Sequence, residues 1–525
     1  MERRRDARVW LVALGLAALV VVPVVSLVVM HGWPGVYGQD AFWYQQYAED
    51  VRAAWAGGRL PGPFTWPPGF PVLAAAVSAA TGPGTMAAQA VSLAAGGAVA
   101  ALTWLLAREL RPWTRWSGWS AIAAGLIAGV TPHLWQSAAV VMSDTTGLAA
   151  MTLGAWSVTR WAGGGRLRWA VLGAMATAFA VDTRQVYALA AVALAVAAVI
   201  VAVRRAGTLA PEDRARFLAV TLGLPLAAAI LVLAPMLGPM AWAWGRGAPV
   251  PFATQLTSHP WSPANAVRSE TTGPDGTQRW PLPMGLFAVT EPFRPYHLGP
   301  VFAVAAAGGA FRLMRRARAS LPLAVLVAWP ALVLLELAGD VVQNTRFALA
   351  VLPPLAILAS GGLDAVAAWV GAHGRPRDRR RAVTVGGTLV LGGLLLVNAV
   401  GAWHFTDSFI GRFQASSAAL ARLVESVPAD GRLVALGATL ELRWKGRDVT
   451  ELSALPVADA TALARDGRPT WIVLPAGVID TQWAGTPIAA AFVALGSGND
   501  AGPRLEARDG PWELWRTRQE ASAAP

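Results

Sequence analysis

Long apolar segments recur along the first 400 residues, and they restrict the fold more than any other feature of the sequence. The first segment, residues 9–30, contains no charged side chain. An α-helix rises 1.5 Å per residue, so about 20 apolar residues cross the roughly 30 Å hydrocarbon core of a bilayer. Hydrophobic residues make up 55% of the chain and charged residues only 14%. The sequence therefore predicts a polytopic α-helical membrane protein.

About eleven segments are predicted to span the membrane. They are residues 9–30, 85–107, 117–132, 143–161, 167–181, 185–203, 216–238, 296–312, 320–338, 346–369 and 382–403. Residues 68–80 are also apolar but too short to span, so we expect a re-entrant or lead-in helix there.

Arginine clusters lie between these segments, and their distribution predicts the orientation of the chain. Arg3, Arg4, Arg5 and Arg8 precede the first span, and the loops predicted to be cytoplasmic carry far more arginine than the external ones. This is the positive-inside pattern. The first span is too long for a cleaved signal peptide. We therefore expect a retained helix with a cytoplasmic N-terminus and, after an odd number of spans, an external C-terminus.

The net charge of +12 comes from these arginine clusters between the spans, so a nucleic-acid partner is not expected. Lys445 is the only lysine, a bias typical of a GC-rich genome, and we expect the protein in the cytoplasmic (inner) membrane of a prokaryote. The absence of cysteine excludes disulfides and cysteine-ligated metals.

The composition changes after about residue 405, which predicts two domains. Residues 1–405 form the all-α membrane domain, with a first external loop at 31–66 and a second large one at 245–295. Residues 406–525 alternate helix and strand signals, which indicates a small extracytoplasmic α/β domain. The predicted elements are a helix at 415–427, strands at 432–436, 470–474 and 512–515, and a helix at 458–464. The tail after Arg518 is predicted to be disordered.

The first external loop carries a carboxylate, Asp40, at the start of a segment with helical amphipathicity. Phe42, Trp43, Tyr47, Val51 and Trp55 can share an apolar face of a helix over residues 40–55. A helix rich in Trp and Tyr is expected to lie along the membrane interface.

Several other polar residues fall at the external ends of the predicted spans. They are Asp144, Asp182, Arg184, His297 and Arg346. Ionisable groups at membrane depth are costly and usually functional. Because the predicted topology brings all of them to the side of Asp40, the sequence predicts a polar site at the external rim.

Simpler structural interpretations remain open for these residues. Asp40 and Asp144 are each suited to capping the N-terminus of the helix that follows. Asp182 and Arg184 are close enough in sequence to pair across a tight turn. Arg346 lies where a long side chain can extend to the interface from a helix end.

His297 stands at a predicted helix start, where a single histidine is usually structural. Trp66 is suited to anchoring the loop at the interface, and secondarily to stacking on a sugar. No cluster has convincing metal-ligand spacing, although an ion site formed by Asp40, Asp144 and His297 stays open, and with it a divalent cation as cofactor.

Five motifs resemble those of GT-C integral-membrane glycosyltransferases, in the group of protein O-mannosyltransferases and aminoarabinose transferases of lipid A. The resemblance covers about residues 1–405, and the motifs occur in the same order. They are Asp40-x-x-x-Tyr44 with Trp66-Pro-Pro-Gly-Phe-Pro71, Ser143-Asp-Thr145, Asp182-Thr-Arg184, Tyr296-His-Leu-Gly-Pro300 and Arg346-Phe-x-x-x-x-Leu-Pro-Pro354.

The resemblance implies a GT-C fold and an inverting transfer of a sugar from a polyprenyl-phosphate donor. The acceptor would be a hydroxyl of a lipid, glycan or protein outside the membrane. Asp40 would be the catalytic base. This fits the chemistry, because a phosphate leaves as a stable anion without a general acid, whereas an alcohol acceptor needs a base. Arg184 and Arg346 would bind the phosphate through bidentate contacts.

The remaining residues of the rim would then support the site or the acceptor. They are Tyr44, Trp66, Asp144, Asp182 and His297. Two positions differ from the family. Ala41 follows Asp40 where many members have a second acidic residue, and Trp66 replaces the lysine that precedes the proline pair in the aminoarabinose enzymes. The second difference argues against an aminoarabinose donor.

Two other classes of protein have many spans and buried charges. A transporter or flippase for a lipid-linked cell-envelope precursor would place charged groups and broken helices near the membrane midplane. A sensor or assembly scaffold would not require the rim charges to converge. The depth and convergence of these charges therefore distinguish the three.

Overall fold

The computed structural model describes residues 2–110, 118–247, 260–273, 276–316, 321–372, 377–428, 430–466, 468–496 and 502–517. Each segment predicted to span the membrane coincides with a helix. The helices are α1 (Glu2–His31), α2 (Gly38–Ala56), α3 (Gly69–Thr81), α4 (Thr85–Leu110), α5 (Gly118–Gly129), α6 (Pro132–Ala138), α7 (Asp144–Ala162), α8 (Leu167–Thr183), α9 (Tyr187–Ala206), α10 (Pro211–Gly245), α11 (Met284–Thr290), α12 (Gly299–Arg316), α13 (Leu321–Gly339), α14 (Leu352–Ala372), α15 (Arg377–Glu425), α16 (Thr439–Trp444), α17 (Val457–Arg465) and α18 (Pro487–Gly496).

Among the described residues, 7 helices are long and apolar enough to cross a membrane: α1, α4, α9, α10, α13, α14 with the 3₁₀ segment before it, and α15. The other predicted spans, α5, α7, α8 and α12, are shorter or more polar. Helix α7 lies inside the bundle and buries most of its side chains.

Helix α10 shows why the bundle requires a lipid environment. Only Thr221 and Ala243 are buried among its 35 residues, and leucines such as Leu231 point outward. An exposed apolar surface of this extent is unfavourable in water and favourable against lipid chains.

Glycines allow two helices of the bundle to cross closely. A Cβ on Gly309 of α12 would overlap the carbonyl group of Leu358, and a Cβ on Gly362 of α14 would overlap the carbonyl group of Ala305. Small residues at both sides of a crossing let the two backbones approach, as is common in membrane bundles.

The loop predicted to be the first external one folds into the helix α2, followed by the short helix α3. Phe42, Tyr47 and Val51 of α2 are buried, whereas Trp43 and Trp55 are exposed. The protein therefore covers only part of the predicted apolar face, and the two tryptophans lie on its exposed part. Helix α3 packs against α2, α4 and α8.

Residues 248–259 and 274–275 of the loop predicted at 245–295 lie outside the described part. A 3₁₀ helix (Pro263–Val267), a hairpin of β1 (Glu270–Gly273) and β2 (Gly276–Arg279), α11 and a 3₁₀ turn (Glu291–Phe293) follow one another. The loop is attached to the end of α13, because the amide of Asn265 donates a hydrogen bond of 2.9 Å to the carbonyl of Gly339.

Helix α15 joins the membrane part to the C-terminal region without a break. It runs through the predicted boundary at residue 405, and the helix predicted at 415–427 is its last part. Its 49 residues span about 74 Å at 1.5 Å per residue. Since a bilayer core is roughly 30 Å thick, the helix extends well beyond it.

The C-terminal region contains the predicted α/β arrangement. A sheet of five strands has the order β4-β3-β5-β7-β6, with parallel pairing of β3 to β4 and β5 and antiparallel pairing of β7 to β5 and β6. The strands are β3 (Arg432–Ala435), β4 (Thr450–Glu451), β5 (Thr470–Pro475), β6 (Arg504–Asp509) and β7 (Trp512–Arg516). Strands β3, β5 and β7 and helix α17 confirm predicted elements. The tail after Arg518 lies outside the described residues.

Candidate active site

Asp40 and Arg346 form an ion pair between helix α2 and the 3₁₀ segment Thr345–Val351. Nη2 of Arg346 lies 3.0 Å from Oδ2 of Asp40. Tyr37 occupies the N-cap of α2, so Asp40 lies within the first turn and does not cap the helix. The Asp40 side chain is 42% exposed and that of Arg346 16% exposed. The carboxylate is therefore held in place and still accessible.

Asn344, in the segment between α13 and α14, holds the Arg346 side chain in this orientation. Oδ1 of Asn344 accepts hydrogen bonds from the backbone N and from Nε of Arg346, at 3.1 and 3.3 Å. Nη1 lies 3.5 Å from the sulfur of Met142. Arg346 thus points into the protein towards Asp40 and does not extend along a helix to the interface.

Asp144 and Arg184 form a second ion pair, which is more buried than the first. The Asp144 side chain is 3% exposed and that of Arg184 14% exposed. Ser143 occupies the N-cap of α7, and no side-chain capping hydrogen bond is made, so Asp144 is not the N-cap. The Arg184 guanidinium lies over the ring of Phe347, 4.9 Å from its centroid. The two ion pairs are therefore neighbours.

Tyr44 lies between the two ion pairs. Its hydroxyl is 3.1 Å from Oγ of Ser143. Burial raises the pKa of Tyr44 to about 12, opposed by the positive charge of Arg184. Trp66 packs against this tyrosine with a centroid distance of 5.2 Å, and against Trp43 at 5.0 Å. Trp66 therefore belongs to an aromatic cluster behind the carboxylates.

Two predicted site residues lie elsewhere. Asp182 is buried and does not pair with Arg184, and its Oδ1 has no hydrogen-bond partner among the described residues. Nε2 of His297 lies 3.1 Å from the carbonyl oxygen of Thr345 and 3.2 Å from Oε1 of Glu291. His297 thus supports the segment that carries the arginine, without contacting either carboxylate of the ion pairs.

Among the described residues, no group of three or more His, Cys, Asp or Glu side chains could hold a metal ion. Asp40, Asp144 and His297 accordingly do not form the ion site left open by the sequence. Asp40 and Asp144 instead each face an arginine, which supplies the positive charge there.

A cavity of about 1020 Å³ adjoins the exposed carboxylate. Asp40 and Arg346 line it, together with His133 of α6, aromatic residues of α15 and the turn between β6 and β7. His133 was not predicted as a site residue. It precedes no recognisable motif, and only the packing of α6 against α15 brings it to the cavity.

Comparison with solved structures places this geometry in a known fold. ArnT from Cupriavidus metallidurans in the apo state superposes with a TM-score of 0.55 at 17% identity, covering 97% of this chain and 98% of the other. The oligosaccharyltransferase from Archaeoglobus fulgidus in the apo form superposes with a TM-score of 0.56 at 12% identity, covering 91% and 72%. The chain has the GT-C fold.

The GT-C assignment agrees with the apolar helices, and the chain is a multi-pass membrane protein. A further ArnT structure, bound to undecaprenyl phosphate, has a TM-score of 0.52 at 16% identity and covers 100% of both chains. An archaeal AglB structure is in complex with an inhibitory peptide and a dolichol-phosphate, with a TM-score of 0.53 at 12% identity, covering 89% and 69%. No protein-family model and no curated protein sequence matches.

Proposed function

We propose that this GT-C protein is an inverting glycosyltransferase that moves a sugar from a polyprenyl-phosphate donor to a hydroxyl acceptor on the extracytoplasmic face of the membrane. The observation that carries the proposal is the Asp40–Arg346 pair, with a 3.0 Å contact, at the edge of a large cavity. It combines a base and a phosphate-binding group at one accessible position.

Asp40 is the proposed catalytic base. Its partly exposed carboxylate is free to accept the proton of the acceptor hydroxyl, whose oxygen then forms a bond to the anomeric carbon of the sugar. The bond from that carbon to the phosphate oxygen breaks, and its electron pair stays on the departing polyprenyl phosphate. A single displacement inverts the anomeric centre, whereas retention would need a second carboxylate as nucleophile.

Arg346 and Arg184 are the proposed phosphate-binding residues. Each is paired with a carboxylate in the structure, so the two pairs together carry no net charge. A donor phosphate would compete with Asp40 for the Arg346 guanidinium and thereby release the carboxylate towards the acceptor. Arginine suits this exchange because its fork of N–H groups binds carboxylates and phosphates in the same bidentate manner.

The other residues of the rim are proposed to support these groups. Tyr44 and Asp144 hold Arg184 and the start of α7, and His297 holds the segment before Arg346. Trp66 closes the site behind the carboxylates.

The positions of the charges within the helices favour an enzyme over a transporter. Asp40 and Asp144 lie in the first turns of α2 and α7, Arg184 follows the last residue of α8, and Arg346 precedes α14. A transporter would be expected to place such groups on broken helices near the midplane. In this chain the charges lie at helix ends and pair with one another.

The test is a transfer assay with purified protein, labelled polyprenyl-phosphate sugars and hydroxyl acceptors. Asp40→Asn should reduce the rate at least about 100-fold, since general bases contribute roughly 10²–10⁴-fold. Asp50→Asn is the matched control, because Asp50 lies exposed on the same helix. Arg346→Lys should raise the KM for the donor about tenfold, because lysine lacks the bidentate fork. Full transfer by a folded Asp40→Asn variant would exclude Asp40 as the base.

A further inference from the structure

Three arginines, here called the basic cluster, lie at the ends of α7 and α8 that are opposite to the ion pairs. Asp144 begins α7, and Arg160 lies in the last turn of that helix. Arg166 precedes α8, and Arg168 lies in its first turn. The 19 residues of α7 span about 28 Å at 1.5 Å per residue, close to the roughly 30 Å core of a bilayer. The basic cluster therefore lies at the level of the lipid headgroups of the surface opposite to the ion pairs.

Tryptophan rings hold two of these arginines next to each other. The guanidinium of Arg160 lies 4.9 Å from the ring centroid of Trp169 and 5.6 Å from that of Trp156. The guanidinium of Arg168 lies 5.4 Å from the centroid of the same Trp169. The two indole rings meet edge-on, with their centroids 5.2 Å apart. Trp169 thus brings two positive charges together and fixes the position of both.

The turn between α7 and α8 permits this close arrangement. Gly164 has a φ of +102°, which favours glycine, and the chain reverses there within three glycines. A Cβ on Gly165 would lie 2.6 Å from the carbonyl oxygen of Arg160 and 3.1 Å from Cδ1 of Trp169. A larger residue at position 165 would therefore push the tryptophan away from the end of α7.

No carboxylate neutralises the basic cluster among the described residues. The three arginines are exposed, and none of them forms an ion pair there. Glu212 and Asp213 begin α10, which packs against α8, but neither pairs with the cluster. Like charges held together repel one another, so a bound anion would be favourable. A phosphate is well suited, because its oxygens accept bidentate hydrogen bonds from guanidinium groups.

An apolar strip on α8 continues from the basic cluster into the membrane part. Leu172 and Met175 follow Arg168 at intervals of four and seven residues, so all three lie on one face of the helix. Met175 is exposed and Leu172 is half-buried. A lipid bound through its phosphate would lay its acyl chains along this strip. A soluble phosphate would gain nothing from it, so the arrangement favours a phospholipid.

We propose that the basic cluster binds the phosphate of an anionic membrane phospholipid whose acyl chains lie along α8. Basic pockets between spanning helices bind anionic headgroups in other membrane proteins. A zwitterionic lipid carries the same phosphate together with a cationic group, which the three arginines would repel. Arginines that only orient a chain act through their charge and need no contacts with tryptophan. The site is remote from Asp40 and does not depend on the proposed function.

Native mass spectrometry of the full-length protein in detergent tests this site. The protein is titrated with palmitoyl-oleoyl phosphatidylglycerol or with phosphatidylcholine of the same acyl chains. Phosphatidylglycerol should bind at least about tenfold more tightly, because each arginine near an anionic headgroup strengthens the attraction about fivefold. The triple variant Arg160→Gln, Arg166→Gln, Arg168→Gln should reduce this preference below about twofold. The control variant Arg59→Gln, Arg268→Gln, Arg504→Gln removes three exposed arginines elsewhere and should retain it.

A conservative variant covers the case in which the triple variant does not fold. Arg168→Lys keeps the charge but lacks the planar fork, so it should weaken phosphatidylglycerol binding about threefold and leave Tm unchanged. Equal affinity of the wild type for the two lipids would overturn the inference. The same preference in both triple variants, or full affinity in Arg168→Lys, would do so as well. Displacement of the lipid by an equal concentration of free sn-glycerol 3-phosphate would overturn the assignment to a phospholipid.

Discussion

Removal of one partner of the buried Asp144–Arg184 pair should strongly destabilise the protein, and this provides a quantitative test. Asp144 is 3% exposed, and its Oδ2 has no hydrogen-bond partner among the described residues. Replacing Arg184 by glutamine leaves this carboxylate buried without a counter-charge. Removal of one partner of a buried pair typically costs about 3–5 kcal/mol.

The expected shift in melting temperature follows from the size of the chain. Unfolding entropy is about 2.1 cal/mol/K per residue near 60 °C, so a chain of 525 residues has about 1.1 kcal/mol/K. A loss of about 3–5 kcal/mol should therefore lower Tm by about 3–5 °C. The double variant Asp144→Asn with Arg184→Gln replaces both charges by neutral hydrogen-bonding groups, and most of the loss should be recovered.

Thermal unfolding of the wild type, both single variants and the double variant, in one detergent, completes a double-mutant cycle. The two residues touch, so the double variant should be much less destabilised than the sum of the single variants. Strict additivity, or a shift below about 1 °C for Arg184→Gln, would refute the interpretation that the pair is buried and coupled.

Two further predictions concern the residues around the pair. Burial raises the pKa of Tyr44 to about 12, so its neutral form stabilises the fold. This contribution is fully present below pH 10 and is lost between pH 10 and about 12. A profile of Tm against pH should fall less steeply in that range for Tyr44→Phe, and identical slopes would contradict the assignment. A Cβ on Gly69 would lie 2.8 Å from the carbonyl oxygen of Asp182. Gly69→Ala should therefore lower the free energy of unfolding by about 1–3 kcal/mol. Gly62→Ala is the control, because a Cβ at Gly62 would meet open space, and its free energy of unfolding should be within about 0.5 kcal/mol of wild type. Equal Tm values for the two variants in the same melting experiment would disprove the close contact at Gly69.

The predicted helices coincide with observed ones because a span is specified by its own residues. Length and apolarity predicted α1 and α10. The span predicted at residues 346–369 begins at Arg346, which lies in the 3₁₀ segment before α14. Helix α2 was predicted from a period of about 3.6 residues, and its bounds differ from the prediction by two residues or fewer.

The partners of the charged residues were not predictable in this way. The sequence left open a pair between Asp182 and Arg184, which are two residues apart, whereas Arg184 pairs with Asp144. Asp40 and Arg346 are 306 positions apart, and their contact depends on how α2 and the segment before α14 pack. Their roles in donor binding and catalysis stay predictions until the variants are measured.

In the C-terminal region, too, some features were predicted from the sequence and others were not. Strand β5 was predicted from a short apolar run, but the parallel pairing of β3 with β5 and the hairpin of β6 and β7 were not. The continuity of α15 across residue 405 was also missed, because the change in composition there was interpreted as a boundary.

The sequence by itself determined that this protein is a bundle of membrane-spanning helices with polar residues at one rim and an α/β region after it. Apolar length and helical period are local properties, and the free energy of transfer into lipid acts on each segment separately. Only the tertiary structure decided that the rim residues form two arginine–carboxylate pairs, and that His133 faces a cavity beside Asp40. Such contacts join residues far apart in the chain, so they arise from the packing of whole helices and are not encoded in any one segment.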